Sequence, residues 1–207
     1  MSSPEALAAE FASIDIYLFD QLLRGRIQPG MRILDAGCGS GRNLHYFARA
    51  GYEIFAVDRD PSAIAATRAM VRELAPGIPE SNFRAQPIEA MTFDDATADV
   101  VILNAVLHFA LNDDQFDAML RDAWRVLKPS GLFFCRLAST IGMPEERFKR
   151  LEGRRFLLPD GSERYLVDEP FLMHATERLG ATLVDPLKTT VVQNQRCMTT
   201  WVVRKSR

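Results

Sequence analysis

Cysteine is scarce in this chain, three in 207 residues, and the three are widely spaced at 38, 135 and 197. That spacing excludes a disulfide scaffold and forms no metal-ligand pattern, so no metal is expected. An excess of either charge is also missing: 25 Lys and Arg stand against 27 Asp and Glu, a net charge of −2. Without a basic surplus, non-specific nucleic-acid binding has no electrostatic footprint, and no nucleic-acid partner is expected. No apolar run approaches the ~20 residues of a membrane helix. The first residues lack the basic-then-apolar pattern of a secretory leader. Internal repeats, low-complexity tracts and linkers are absent. A single domain, no membrane partner, reduced and non-catalytic cysteines, and a cytoplasmic location are therefore the expectations.

Against this background one stretch is distinctive. Ile33 and Leu34 lie in a short apolar run between Pro29-Gly30 and a glycine turn, as in a buried parallel strand. The run ends in Asp35, and glycines follow at alternate positions, Gly37, Gly39 and Gly41. Arg42 to Ala50 then reads as a helix. Glycine has no Cβ and tolerates positive φ, so such a turn admits a ligand close to the backbone. The new helix points free N–H groups at it. The dinucleotide fingerprint Gly-x-Gly-x-x-Gly is not matched, because Arg42 stands where its third glycine belongs. A carboxylate at the strand end would repel a diphosphate and suits a cationic ammonium instead.

Asp-x-Gly-x-Gly-x-Gly resembles the first motif of the class I S-adenosylmethionine-dependent methyltransferases. Later stretches extend the resemblance. Tyr52 to Val57 reads as a second strand ending in Asp58, at the distance expected of an acid that accepts hydrogen bonds from ribose hydroxyls. Asp99 to Asn104 is an apolar fourth strand followed by Ala105-Val106-Leu107-His108-Phe109. Leu127-Lys128-Pro129-Ser130-Gly131 is similar to the family's Leu-Lys-Pro-Gly-Gly turn, with Ser130 for the first glycine.

The resemblance implies an α/β fold: a Rossmann-like, seven-stranded, mostly parallel sheet with helices on both faces and an antiparallel last strand. It implies S-adenosyl-L-methionine as cofactor and direct methyl transfer to a small-molecule acceptor, in a monomer or homodimer. Gly37, Cys38, Gly39 and Gly41 would cradle the methionine part and ribose, Asp35 would hold the ammonium directly or through water, and Asp58 the ribose diol. Asn104 would contribute near the methionine end, and Asn43, Arg59 and Ala105 count among the cofactor contacts. The family's usual acid after strand three is missing. Counting back from Phe93 puts Pro87 there, leaving the Ile88 N–H for the adenine; counting along the strand puts Gln86 there, with its amide oxygen in the acid's place. His108 is the catalytic candidate, as a general base; the alternative is a histidine packed under a lid.

Around this core, residues 1–27 are expected as lid helices, with a second helix over Tyr17 to Arg26. Residues 28–140 form the cofactor-binding core, with strand three over Asn82 to Gln86 and strand five over Leu132 to Ala138. Residues 141–167 are an insertion with a hairpin turn at Pro159-Asp160-Gly161. Its basic residues Arg147, Lys149, Arg150, Arg154 and Arg155 read as a solvated helix face, or else as a hold on an anionic acceptor. Residues 168–207 supply a helix and two final strands, one from Ala181 towards Val192 and one over Arg196 to Arg204. Two rival readings remain at this level: an NAD-dependent oxidoreductase and a non-catalytic S-adenosylmethionine-binding protein.

Overall fold

The computed structural model describes residues 3–207, so the first two residues of the lid segment lie outside the described residues. Two short helices lead, α1 (Pro4–Phe11) and α2 (Ile16–Leu23). Ser3 caps α1, and the Asp15 carboxylate accepts the Tyr17 N–H at 2.9 Å to start α2. Gly25, at φ +65°, turns the chain out of α2 three residues earlier than the sequence pattern suggests.

Six strands, β1 (Arg32–Ala36), β2 (Glu53–Asp58), β3 (Phe83–Ala85), β4 (Ala98–Asn104), β5 (Leu127–Ser139) and β11 (Arg196–Lys205), form the body of one sheet. Its order is β10-β11-β5-β4-β1-β2-β3, parallel from β5 to β3 and antiparallel at β11. β9 (Ala181–Leu183) pairs with residues 203–205 of β11, and β10 (Lys188–Val192) with residues 196–200. The two share one edge position, so the seven-position sheet is present with its sixth strand split. The split falls around Asp185 and Pro186, where proline has no N–H for a ladder.

Helices cover both faces. Ile33 and Leu34 are both fully buried, on opposite faces. Ile33 packs in the layer of α3 (His45–Arg49) and α4 (Pro61–Leu74); Leu34 packs in that of α5 (Asp113–Val126) and α6 (Glu169–Arg178). Each such side chain contributes roughly 1.5–3 kcal/mol on burial. These two layers fix the height of β1, and with it the position of the glycine turn above the sheet.

Several boundaries differ from the sequence reading. The helix after the glycines begins only at His45, because Gly41 leaves at φ +81° and a turn closed by Leu44 N–H to Gly41 C=O (2.8 Å) intervenes. Asn82 belongs to a 3₁₀ turn and donates its amide to Ile54 C=O at 3.0 Å, so β3 starts at Phe83. β5 begins at Leu127, five residues early, with a register irregularity that absorbs the Lys-Pro-Ser-Gly turn. Ser130 takes φ +62° there.

The basic stretch is not a helix face. It forms a 3₁₀ turn (Glu145–Arg147), β6 (Lys149–Glu152) and β7 (Arg155–Leu157); with β8 (Glu163–Tyr165) these strands make a small antiparallel sheet. The Pro159-Asp160-Gly161 turn connects β7 to β8, with the Ser162 N–H donating to Asp160 Oδ1 at 3.0 Å. None of the described helices is long and apolar enough to cross a membrane.

Candidate active site

The C-terminal ends of β1, β2 and β4 open into a cleft of about 270 Å³. Gly37 and Gly39 form its floor, Asp58 and Arg59 one wall, Pro87, Ile88 and Glu89 the far end. Ala105, Val106 and Phe109 close it from the β4 side, and Gln115 and Met119 of α5 from above. Parallel sheets place such crevices where connections diverge from adjacent strands.

The three glycines serve three purposes, all at positive φ. A Cβ on Gly37 would come within 2.5 Å of Val106 Cγ2, and one on Gly41 within 2.7 Å of Met70 Cε. Gly37 thus lets β4's exit loop close on the turn, and Gly41 lets α4 close on it. A Cβ on Gly39 would meet nothing within 4 Å. Gly39 is the position at which the backbone is bare towards ligand space. Asp58 secures it: Oδ2 accepts the Gly39 N–H at 2.9 Å and Oδ1 the Asp60 N–H at 3.0 Å. A carboxylate has about four acceptor positions, so two remain for a ligand.

Beneath the floor lie groups without partners. Asp35 is 1% exposed, and no donor reaches either carboxylate oxygen in hydrogen-bonding geometry. Burial pushes its pKa up to about 7, against the pull of the Arg42 cation and the nearby Asn43 amide. Asn104, at the end of β4, likewise has a buried side-chain oxygen and nitrogen with no partner. Buried polar groups are ordinarily paired, and two unpaired ones at neighbouring strand ends match an ammonium-bearing ligand. The residues present fit S-adenosylmethionine: the cleft itself offers free acceptor positions on Asp58 and a bare glycine turn, and the unpaired Asp35 and Asn104 lie behind that turn, outside the cleft lining.

The other sequence candidates are dispersed. Gly37, Gly39, Asp58, Arg59, Ile88 and Ala105 line the cleft; Asp35, Cys38, Gly41, Asn43, Gln86 and Asn104 do not. The Cys38 thiol faces α4, 3.6 Å from Thr67 Oγ1, and burial raises its pKa. Asn43 is spent on the N-terminal segment, its Oδ1 accepting the Asp15 N–H at 3.1 Å. Gln86 Oε1 accepts from Thr92 Oγ1 at 3.0 Å, while its Nε2 is buried without a partner. Ile88 opens a 3₁₀ turn after Pro87, where first N–H groups lack partners within the turn. Sequence reasoning missed Val106, Phe109, Gln115 and Met119; only the spacing of α5's apolar face carried a signal for the last.

His108 lies next door rather than in the cleft. It is 5% exposed, and its Nδ1 accepts the Ala138 N–H at 3.1 Å. Burial, then the charges of Arg164, Arg136 and Arg196, lower its pKa to about 3. The lone pair a base would use is occupied, so the neutral ring carries its proton on Nε2. As placed here, His108 presents an N–H donor rather than a free lone pair. Cys135 lies opposite Trp201 and Cys197 opposite Ser139, and all three cysteines are free and buried. Four positions on β11 separate the two ladder cysteines.

Comparison with known proteins bears on the domain and the fold. Residues 34–135 match a family described as a methyltransferase domain. A ubiquinone biosynthesis O-methyltransferase of Methylocella silvestris is 34% identical over 117 residues, 55% of this chain and 43% of that protein. The chain spans less than half the length of the first such relatives, 47%, 43% and 42%. Among solved structures, an S-adenosylmethionine-dependent methyltransferase of Methanosarcina mazei superposes with a TM-score of 0.72 at 18% identity, covering 89% of this chain and 97% of that one. A 1,6-didemethyltoxoflavin-N1-methyltransferase of Burkholderia thailandensis, solved with its acceptor and S-adenosylhomocysteine, gives 0.71 at 19% identity, covering 98% and 82%. At these identities the structural likeness bears on fold alone. Residues 34–135 thus belong to the methyltransferase-domain family, and the chain as a whole has the fold of S-adenosylmethionine-dependent methyltransferases.

Proposed function

We propose that this chain methylates a small-molecule acceptor, using the cleft at the ends of β1, β2 and β4. The observation that carries the reading is the unpaired Asp35 carboxylate buried beneath a bare glycine turn. Asp35 and Asn104 would hold the amino-acid end of the cofactor, Asp58 the ribose hydroxyls, and the Ile88 N–H the adenine edge. When bound, S-adenosylmethionine supplies an activated methyl on a sulfonium, transferred to a nucleophile as the carbon–sulfur electron pair stays on sulfur.

The chain's own task is then to position and desolvate. Met119, Val106 and Phe109 exclude water from the cleft's β4 and α5 sides. Asp15 ties the lid to the core by two bonds, its N–H to Asn43 and its carboxylate to Arg136 at 3.1 Å. His108 offers an Nε2–H donor beside the site and fixes the β5 backbone at Ala138. The cleft's two carboxylates are already engaged, Asp58 by the Gly39 and Asp60 N–H groups and Glu89 by the Gln115 amide at 2.9 Å, which suits an acceptor already nucleophilic at neutral pH, such as a thiol, an amine or an acidic hydroxyl.

Calorimetric titration with S-adenosylhomocysteine and with NADH tests the cofactor assignment, and a screen of small nucleophiles with methyl-labelled cofactor tests transfer. Binding of S-adenosylhomocysteine alone, with label appearing in a small molecule, is the expected result. Binding of NADH in its place, or no label in any acceptor, would overturn the reading.

A further inference from the structure

A second cavity, of about 310 Å³, adjoins the cleft and shares Ala105 and Phe109 with it. Its polar lining comes from four separate parts of the chain: His108 after β4, Arg136 on β5, Asp160, Ser162 and Arg164 around the β7–β8 turn, and Arg196 at the start of β11. Three guanidinium groups face one carboxylate. Asp160 pairs with Arg196 at 3.3 Å, and Arg136 pairs with Asp15 of the lid at 3.1 Å. Arg164 forms no ion pair among the described residues; it donates to Glu163 C=O at 2.7 Å and lies over the Phe109 ring at 4.7 Å. Arg136 also has a buried Nε without a partner.

We infer that this cavity is the acceptor pocket and that it takes a small anionic molecule, one bearing a carboxylate or a phosphate monoester. This rests on the methyl-transfer reading above, whose acceptor class it names. Arginine forks match both anions in two-bond geometry, and Arg164 and Arg136 both have donor capacity to give. The cationic groups converge on one side of the cavity: Arg136, Arg164 and Arg196 line it together with His108, whose pKa burial lowers first and these three charges lower further. The neutral imidazole keeps its Nε2–H for donation and adds no competing carboxylate. The shared wall at Ala105 and Phe109 sets the geometry of use. The anion anchors on the arginine side, and the nucleophilic group of the same molecule reaches past that wall into the cleft. Leu158 and Met198 add apolar lining, and the volume suits a small molecule.

The test uses the whole chain saturated with S-adenosylhomocysteine, whose binding is measured first. Benzoate, phenyl phosphate and neutral benzamide are then titrated by calorimetry into the wild type and into Arg164→Gln and Arg196→Gln. At least one of the two anions should bind at millimolar concentration, and benzamide about tenfold more weakly or worse. Both variants should weaken the anion by about tenfold and leave the affinity for S-adenosylhomocysteine unchanged. Which anion binds better distinguishes a carboxylate from a phosphate acceptor. Benzamide binding as tightly as both anions, anion affinity unchanged in both variants, or no anion binding to a protein that does bind S-adenosylhomocysteine would overturn the acceptor assignment. A protein that fails to bind S-adenosylhomocysteine would overturn the methyl-transfer reading beneath it, so the two failures are told apart.

Discussion

Replacing Asp35 by asparagine should stabilise the cofactor-free protein and weaken cofactor binding at once. Asp35 is fully enclosed, with no hydrogen bond to either oxygen. Burial, above all, raises its pKa from the ordinary 3.8 to about 7. Between those values the folded protein holds a proton that the unfolded chain has lost. Stability is therefore greatest below pH 3.8 and falls as pH rises towards 7, above which the full cost of a buried carboxylate is present. A shift of about three units at 1.36 kcal/mol each places that cost at roughly 4 kcal/mol. Asparagine has nearly the same shape and never ionises. Asp35→Asn should thus gain up to ~4 kcal/mol at pH 8 and almost nothing at pH 4. Its affinity for S-adenosylhomocysteine should fall by about tenfold or more, because a charge-assisted contact to the ammonium is lost. Urea denaturation of both proteins at the two pH values, and calorimetry at pH 8, read these effects. A stability difference that is the same at both pH values would refute the burial argument, and an unchanged affinity would remove Asp35 from the cofactor site.

Asp58→Ala should lower the affinity for S-adenosylhomocysteine by at least about tenfold, since hydrogen bonds to a charged acceptor contribute ~1.5–3 kcal/mol each; an unaltered dissociation constant by titration would mean Asp58 is only the clasp of the glycine turn. Gly39→Ala and Gly41→Ala both strain a positive φ, at a cost of about 1–2 kcal/mol, but only the first puts a methyl into ligand space, so at matched thermal stability Gly39→Ala should lose more cofactor affinity. His108→Ala leaves the buried Ala138 N–H unpaired and should cost ~1–3 kcal/mol in denaturant melts, with His108→Gln recovering part of it through its amide oxygen. Because the folded pKa of His108 lies below its ordinary 6.5, at about 3, its contribution to stability is lost as pH falls from 6.5 towards 3. For the same reason a profile of turnover against pH should lack a histidine step near neutrality, and such a step abolished by His108→Gln would restore the base. Cys38, Cys135 and Cys197 should resist a thiol reagent in native protein and react together on denaturation.

Local chemistry wrote much of this protein into its sequence. Asp35 and the alternating glycines declare a strand end and a ligand turn, because only glycine holds φ +84°, +54° and +81° in succession at alternate positions without strain. The apolar runs of β1 and β4 declare strands buried on both faces. What needed the tertiary structure was everything set by distance through space. Asp35 reads the same whether its carboxylate meets water or none; the folded chain around it decides that it meets none. His108 carries the same imidazole in either role, and the β5 backbone at Ala138 decides which by taking its Nδ1. The arginines of the second cavity come from residues 136, 164 and 196, on three strands that converge only when β11 inserts beside β5 and the β7–β8 turn folds against it. The basic run at 147–155 stood out because its charges are adjacent in sequence, whereas a binding field needs charges adjacent in space, and only the folded sheet supplies that.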